Sequence, residues 1–152
     1  MKILIPMAGE GSRFAKEGYQ FPKPLIDVDG KPMIQRVVEN LSFDAEYIFL
    51  VRKEHIVKYS GLVETLHRIT GNKTRIVEVE SLTEGAACTA LLARELISCD
   101  DDLLIANSDQ IIKYEKENFN LMKNITKVDS MVFTFKATHP KWSFAKVDEN
   151  NI

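Results

Sequence analysis

Cysteine, histidine and tryptophan are all scarce in this chain of 152 residues, which has two cysteines, three histidines and one tryptophan. Two cysteines are too few for the disulfide framework of a small secreted domain. The histidines, His55, His67 and His139, are scattered and lack the spacing of a zinc site. Because the amino end also lacks a secretory leader pattern, we expect reduced cysteines and a cytoplasmic protein.

Long apolar runs and an excess of basic charge are missing as well. No apolar stretch approaches the ~20 residues of a membrane-spanning helix. The net charge is −2, whereas domains that hold nucleic acid by electrostatic attraction are usually strongly basic. We therefore expect neither a membrane nor a nucleic acid as partner. The hydrophobic content of 45% and the length predict one globular domain over residues 1–152.

Apolar strands and amphipathic helices alternate along the chain, which predicts an α/β fold with three layers and a mostly parallel sheet. The predicted strands cover residues 2–7, 47–51, 74–79, 102–106, 130–135 and 144–147. The strands at 2–7, 47–51 and 102–106 are apolar runs expected to be buried, and residues 74–79 alternate between polar and apolar. The predicted helices cover residues 32–41, 54–70, 83–97 and 117–127. A turn predicted at 148–151 has no return strand after it, so we expect a polypeptide truncated at its carboxyl end.

The first predicted strand runs into a loop with two glycines, and this loop is followed by a second basic segment. At the carboxyl edge of a sheet, such a loop leaves backbone N–H groups free to bind phosphate. Arg13 and Lys23 add cations that neutralise phosphate charge. A nucleoside-triphosphate site is therefore predicted, and a solvated glycine turn is the alternative. The loop residues assigned to the nucleotide are Ala8, Gly9, Gly11 and Ser12.

Two common glycine motifs do not fit this loop. The dinucleotide fingerprint requires a third glycine where Phe14 stands, and the Walker A loop requires Gly-Lys followed by Ser or Thr. The pair Gly9-x-Gly11-Ser12-Arg13 and Pro22-Lys23-Pro24-Leu25 instead resembles the signature of the sugar-1-phosphate nucleotidylyltransferases, also called nucleotide-sugar pyrophosphorylases. The resemblance covers essentially the whole chain and implies a Rossmann-like α/β/α sandwich.

Two further segments gain a role from this resemblance. In the family, a short Gly-Ala element meets the nucleobase, and Gly85-Ala86 is similar to it; plain helix–sheet packing explains small residues there equally well. Asn107 and Asp109 follow the predicted strand 102–106, where a carboxylate is well placed for Mg²⁺. The resemblance implies that Asp109 is the metal ligand and that Asn107 contacts the nucleotide, whereas the alternative for Asp109 is a turn or a helix cap.

The resemblance also implies a reaction. A sugar 1-phosphate attacks the α-phosphorus of an NTP, and the products are an NDP-sugar, for surface polysaccharide or capsule synthesis, and pyrophosphate. Arg13 then stabilises the leaving pyrophosphate, Lys23 lies beside the reacting phosphates, and Mg²⁺ is the cofactor. The family's later part, with more of the sugar pocket and a second metal aspartate, has no counterpart in this sequence. A non-catalytic nucleotide-binding or regulatory module, transfer to a non-sugar phosphate, and a homo-oligomer therefore stay open.

Overall fold

The structure is a computed structural model, and it describes residues 1–9, 18–19, 21–97, 100, 102–125, 129–140 and 142–147. The chain forms two compact units, residues 1–112 and residues 113–152. None of the helices in the described part of the chain has both the length and the apolar character that a bilayer crossing requires.

The first unit is built on a parallel sheet of four strands. In chain order the strands of this unit are β1 (Lys2–Pro6), β2 (Asp27–Val28), β3 (Lys31–Pro32), β4 (Glu46–Arg52), β5 (Thr74–Val79) and β6 (Leu103–Ile105). The main sheet has the order β5-β4-β1-β6 with every pair parallel. Strands β2 and β3 form a separate hairpin, and its turn at Asp29 and Gly30 has positive φ at both residues.

Helices cover both faces of this sheet. They are α1 (Met33–Leu41), α2 (Lys53–Lys58), α3 (Leu62–Ile69) and α4 (Ala86–Leu91), and the second unit contains α5 (Lys116–Ile125). Two short 3₁₀ turns, Lys23–Leu25 and Arg94–Leu96, complete the regular elements of the first unit. All four strands predicted within residues 1–112 are present. The two central strands, β1 and β4, are apolar runs buried between the two helical layers.

Separate hydrophobic cores lie on the two faces of the sheet, because successive strand residues point to opposite sides. On one face, Ile3 and Ile5 pack with side chains of α1 and α3. On the other face, Leu4 packs with Val79 and Ala93. The two cores confirm the predicted three-layer α/β/α arrangement with a mostly parallel sheet.

Two predicted helices are shorter than expected. The helix predicted over 54–70 is two helices, because Tyr59 leaves the helical region (φ −118°, ψ 86°) and Gly61 begins α3. Val57, on the short helix α2, is exposed. The helix predicted over 83–97 ends at Leu91, and tighter turns with i→i−3 hydrogen bonds follow it. These turns hold Ala93 fully buried in the core.

Strand predictions were wrong in the second unit. Residues 130–135 and 144–147 are described but form no strand. A strand requires a neighbouring backbone for its ladder of hydrogen bonds, and no described segment pairs with either stretch. The predicted turn at 148–151 lies outside the described residues. In the first unit, β6 was predicted to be buried, yet Leu103 and Ile105 are exposed because β6 is the edge strand of the described sheet.

Candidate functional site

A cavity of about 520 Å³ lies in the first unit, where the segments that follow β1, β5 and β6 meet. The strands are parallel, so their carboxyl ends share one edge of the sheet, which is where ligands bind in open α/β folds. Every predicted site residue within the described ranges lines this cavity: Ala8, Gly9, Lys23, Gly85, Ala86, Asn107 and Asp109. The other three, Gly11, Ser12 and Arg13, lie outside the described residues.

The first wall is the end of β1. The Met7 N–H donates to the Leu50 carbonyl oxygen at 3.0 Å, which extends the pairing of β1 with β4 to the cavity. Ala8 is buried, and the exposed Gly9 follows it. A Cβ built on Gly9 would have no described protein atom within 4 Å. None of the described residues therefore fills the space beside Gly9.

Lys23 stands on the second wall, in a rigid turn. The Leu25 N–H donates to the Pro22 carbonyl oxygen at 2.8 Å, and the rings of Pro22 and Pro24 fix two backbone angles of the turn. Pro24 is buried, and Leu25 packs against the larger core. The backbone of Lys23 is thus held in place, while its side chain reaches the cavity.

The third wall follows β6 and carries Asn107 and Asp109. This segment is fixed at both ends: the Ala106 N–H donates to the Leu4 carbonyl oxygen at 2.9 Å. The side-chain amide of Asn40 exchanges two hydrogen bonds, of 3.0 and 2.9 Å, with the backbone of Ile112. Between these anchors, the Asn107 amide donates to the Gln110 side-chain oxygen at 2.9 Å.

An ion pair joins the second and third walls. The Lys23 ammonium contacts a carboxylate oxygen of Asp109, and the two side chains are 30% and 32% exposed. The cation predicted for phosphate and the carboxylate predicted for metal therefore lie in direct contact. Neither charge is deeply buried, so both remain accessible to a charged ligand in the cavity.

A small hydroxyl network forms the fourth wall, where Gly85 precedes α4. The Gly85 carbonyl oxygen accepts from the Thr89 N–H at 3.0 Å and from the Thr89 hydroxyl at 3.1 Å. The Thr83 hydroxyl lies 3.2 Å from the same oxygen and 2.5 Å from the Thr89 hydroxyl. Thr89 is nearly buried, so its hydroxyl serves this network and fixes the shape of the wall.

The oxygen ligands of the cavity fit a cation that arrives with phosphates. Among the residues that the structure describes, no group of three or more His, Cys, Asp or Glu side chains could hold a metal ion. A Ca²⁺ cage needs 6–8 oxygen ligands, whereas Mg²⁺ is commonly held by one or two carboxylates together with substrate phosphates and waters. The single carboxylate of Asp109 is enough for this second arrangement, so it suits Mg²⁺ bound to a nucleotide.

Sequence reasoning missed several residues of the cavity, among them Leu82, Thr83, Thr89 and Ser108. One of these had a signal: Thr89 lies four residues after Gly85, the spacing at which a threonine hydroxyl bonds back to a helical carbonyl. Ser108 had no such signal, and its burial depends on tertiary packing that the sequence does not reveal.

Comparison with known proteins gives a consistent result. Residues 3–134 match the model of the family described as MobA-like NTP transferase domain. The bifunctional protein GlmU of Methanocaldococcus jannaschii is 29% identical over 122 residues, which is 78% of this chain and 27% of that protein. Mannose-1-phosphate guanyltransferase of Yarrowia lipolytica is 33% identical over 117 residues, 75% of this chain and 32% of that protein. The chain thus spans less than a third of these relatives.

Solved structures show the same fold. A nucleoside-diphosphate-sugar pyrophosphorylase from Vibrio cholerae RC9 matches with a TM-score of 0.61 and 23% identity, over 78% of this chain and 52% of that one. A Bacillus anthracis protein provisionally described as a glucose-1-phosphate thymidylyltransferase matches with a TM-score of 0.68 and 19% identity. The match covers 84% of this chain and 51% of that one. At these identities the likeness establishes the fold, and it confirms the predicted Rossmann-like architecture.

Proposed function

The chain belongs to the MobA-like NTP transferase domain family, and we propose that it is the nucleotide-binding part of an enzyme that transfers a nucleoside monophosphate from an NTP to a sugar 1-phosphate. One observation carries the proposal: a single cavity brings together Gly9, Lys23, Gly85 and Asp109, which come from separate stretches of the sequence. The names of the relatives support a sugar phosphate as the acceptor.

The proposed reaction is an in-line displacement at the α-phosphorus. An oxygen of the sugar 1-phosphate forms a bond to this phosphorus, the bond to the β-bridging oxygen breaks, and pyrophosphate leaves. Such reactions depend on positioning and charge neutralisation more than on covalent chemistry by the protein. Two anionic phosphates must approach each other, and the Lys23 ammonium at the cavity wall reduces their repulsion.

The other residues take supporting roles in this proposal. Backbone N–H groups from Gly9 onward, with Arg13, hold the triphosphate and the leaving pyrophosphate, and the open wall at Gly85 and Ala86 receives the base. Asp109 holds Mg²⁺, which supplies positive charge to the phosphate oxygens when it is bound. The NDP-sugar product would serve as a precursor of surface polysaccharide.

Nucleotide binding by this chain tests the proposal directly. We expect calorimetry with ATP, CTP, GTP, UTP and dTTP to detect Mg²⁺-dependent binding of at least one triphosphate. Lys23→Ala removes the cation at the cavity and should weaken this binding at least ~10-fold, the effect of losing a charge-assisted contact of ~1.5–3 kcal/mol.

Lys31→Ala is the matched control. Lys31 is also an exposed lysine in an ion pair, with Glu39 at 2.8 Å, but it does not line the cavity. It should leave nucleotide affinity unchanged. Binding of no triphosphate by the folded chain, or equal binding by Lys23→Ala and the unsubstituted chain, would reject the proposal.

A further inference from the structure

We propose that Lys23 also governs metal entry: its ion pair with Asp109 disfavours a divalent cation until a triphosphate draws the ammonium away. The inference rests on the proposed function, because it takes Asp109 as the metal ligand and Lys23 as a phosphate ligand. It adds that metal and nucleotide bind with strong positive coupling, and that one lysine causes this coupling.

Lys23 and a metal ion compete for one carboxylate, that of Asp109. The Lys23 ammonium contacts an oxygen of Asp109 directly. A divalent cation at this carboxylate would lie within a few ångströms of the ammonium, and like charges at this separation repel even in a partly solvated site. The metal must therefore displace the ammonium, and its affinity falls by the strength of the ion pair it breaks.

Within the described ranges, no second carboxylate lines the cavity. Of the described residues that line it, Asp109 is the only Asp or Glu, and no metal-binding cluster of three or more side chains exists among the described residues. Asn107 is engaged with Gln110 through its side chain. Among the cavity residues that the structure describes, a cation that avoids Asp109 would thus have only neutral oxygen ligands.

Phosphate can release Lys23 from its ion pair with Asp109. A triphosphate offers several anionic oxygens to the ammonium, so Lys23 exchanges one carboxylate for phosphate without losing its charge partner. Only the side chain has to move, because the turn around Pro24 fixes the backbone. The flexible four-carbon stem of lysine permits this exchange. Once Lys23 contacts phosphate, both Asp109 and the phosphates are available to the metal.

Reciprocity makes the inference quantitative. If the triphosphate raises metal affinity by a given factor, the metal raises triphosphate affinity by the same factor. Removing the charge of Lys23 should reduce this factor, because the metal then has no ammonium to displace. A substitution at Lys23 should therefore weaken nucleotide binding and, without nucleotide, strengthen metal binding. Opposite changes for two ligands cannot arise from general damage to the fold.

The test uses Mn²⁺, which shares the preference of Mg²⁺ for carboxylate and phosphate oxygens and is detected by electron paramagnetic resonance. Free Mn²⁺ would be titrated with the unsubstituted chain and with Lys23→Gln, Lys31→Gln and the double variant Lys23→Gln/Asp109→Asn. Without nucleotide, Lys23→Gln should bind Mn²⁺ roughly 2–5-fold more tightly, the expected effect of removing an ion pair of this exposure. Lys31→Gln should behave as the unsubstituted chain, and the double variant should lose the gain.

Each outcome has a distinct meaning. Equal or weaker Mn²⁺ binding by Lys23→Gln, or a gain that persists in the double variant, would overturn the inference. Absence of triphosphate binding by the unsubstituted chain would instead reject the proposed function, and it is measured separately by calorimetry. If Lys23→Gln fails to fold, Lys23→Met provides the same removal of charge with a side chain of similar length.

Discussion

Adding a methyl group at Gly85 should separate ligand binding from folding. Gly85 lies on the cavity wall at the amino end of α4, and its backbone is extended (φ 169°, ψ 178°), a conformation that alanine also adopts. A Cβ built there has no described protein atom within 4 Å. Packing within the described protein therefore does not require glycine here, whereas a ligand against this wall would.

The expected magnitudes follow from this geometry. Alanine restricts the conformations of the unfolded chain, which stabilises the folded state by ~0.4–1 kcal/mol. It is also a poorer helix N-cap than glycine, which destabilises the folded state by a similar amount. Because these effects offset each other, the free energy of unfolding should change by less than ~1 kcal/mol, or about 2–4 °C in Tm. A ligand fitted against Gly85 would instead meet an added methyl group at a cost of ~1–3 kcal/mol, roughly 5- to 150-fold in Kd.

Gly61→Ala is the matched control. Gly61 also lies at the amino end of a helix, and its carbonyl oxygen accepts from the Thr65 N–H at 3.0 Å, just as the Gly85 carbonyl oxygen accepts from the Thr89 N–H. A Cβ built on Gly61 likewise has no described protein atom within 4 Å. Gly61 does not line the cavity. Calorimetry with the favoured Mg²⁺–NTP and thermal unfolding would be measured for both variants. Unchanged affinity in Gly85→Ala would refute the assignment of this wall to the nucleotide.

Two other predictions concern single side chains. Thr89→Val deletes the hydroxyl that donates to the Gly85 carbonyl oxygen, so it should lower the free energy of unfolding by ~1 kcal/mol and weaken nucleotide binding. Thr89→Ser keeps the hydroxyl and should retain both stability and affinity. Equal behaviour of the two variants in denaturant titration and calorimetry would contradict this role. Burial lowers the pKa of the His55 imidazole below 6.5, partly opposed by Glu54. The unfolded chain therefore binds the proton more readily, and the free energy of unfolding should fall as pH drops below about 6.5. In unfolding measured between pH 7.5 and 5, His55→Gln should lose less stability than the unsubstituted chain. An unchanged pH dependence would contradict this role of His55.

The accuracy of the sequence predictions depended on how local the deciding interactions are. Strands β1 and β4 were predicted well, since each is an apolar run that burial between two layers favours, and β5 was predicted from its alternation of polar and apolar residues. Gly61 was a local signal for the break between α2 and α3, but the helical spacing of the apolar residues around it led to the prediction of one continuous helix. Residues 130–135 have the composition of a strand, but the pairing partner that makes a strand is a property of distant chain segments, and composition does not reveal it.

The site divides in the same way. Motif spacing led to Lys23, and the end of a predicted strand led to Asp109, each from neighbouring residues. Their contact was not predicted, because it depends on β6 lying beside β1, and strand order is a tertiary property. The Thr89 hydroxyl bond to Gly85 was within reach of the sequence, since it spans a single helical turn.

The contact between Lys23 and Asp109 also bears on how the site attracts its ligand. Opposite charges in contact largely cancel at a distance, so these two residues together exert little attraction on a triphosphate. Net attraction over distance then depends on other groups: on Mg²⁺ carried by the nucleotide and, as the sequence motif implies, on Arg13 and the N–H groups of the glycine loop. On this argument the free triphosphate is a poor ligand and its Mg²⁺ complex is the preferred one. The pairing that neutralises the cavity is therefore also a reason for the site to discriminate between the two forms.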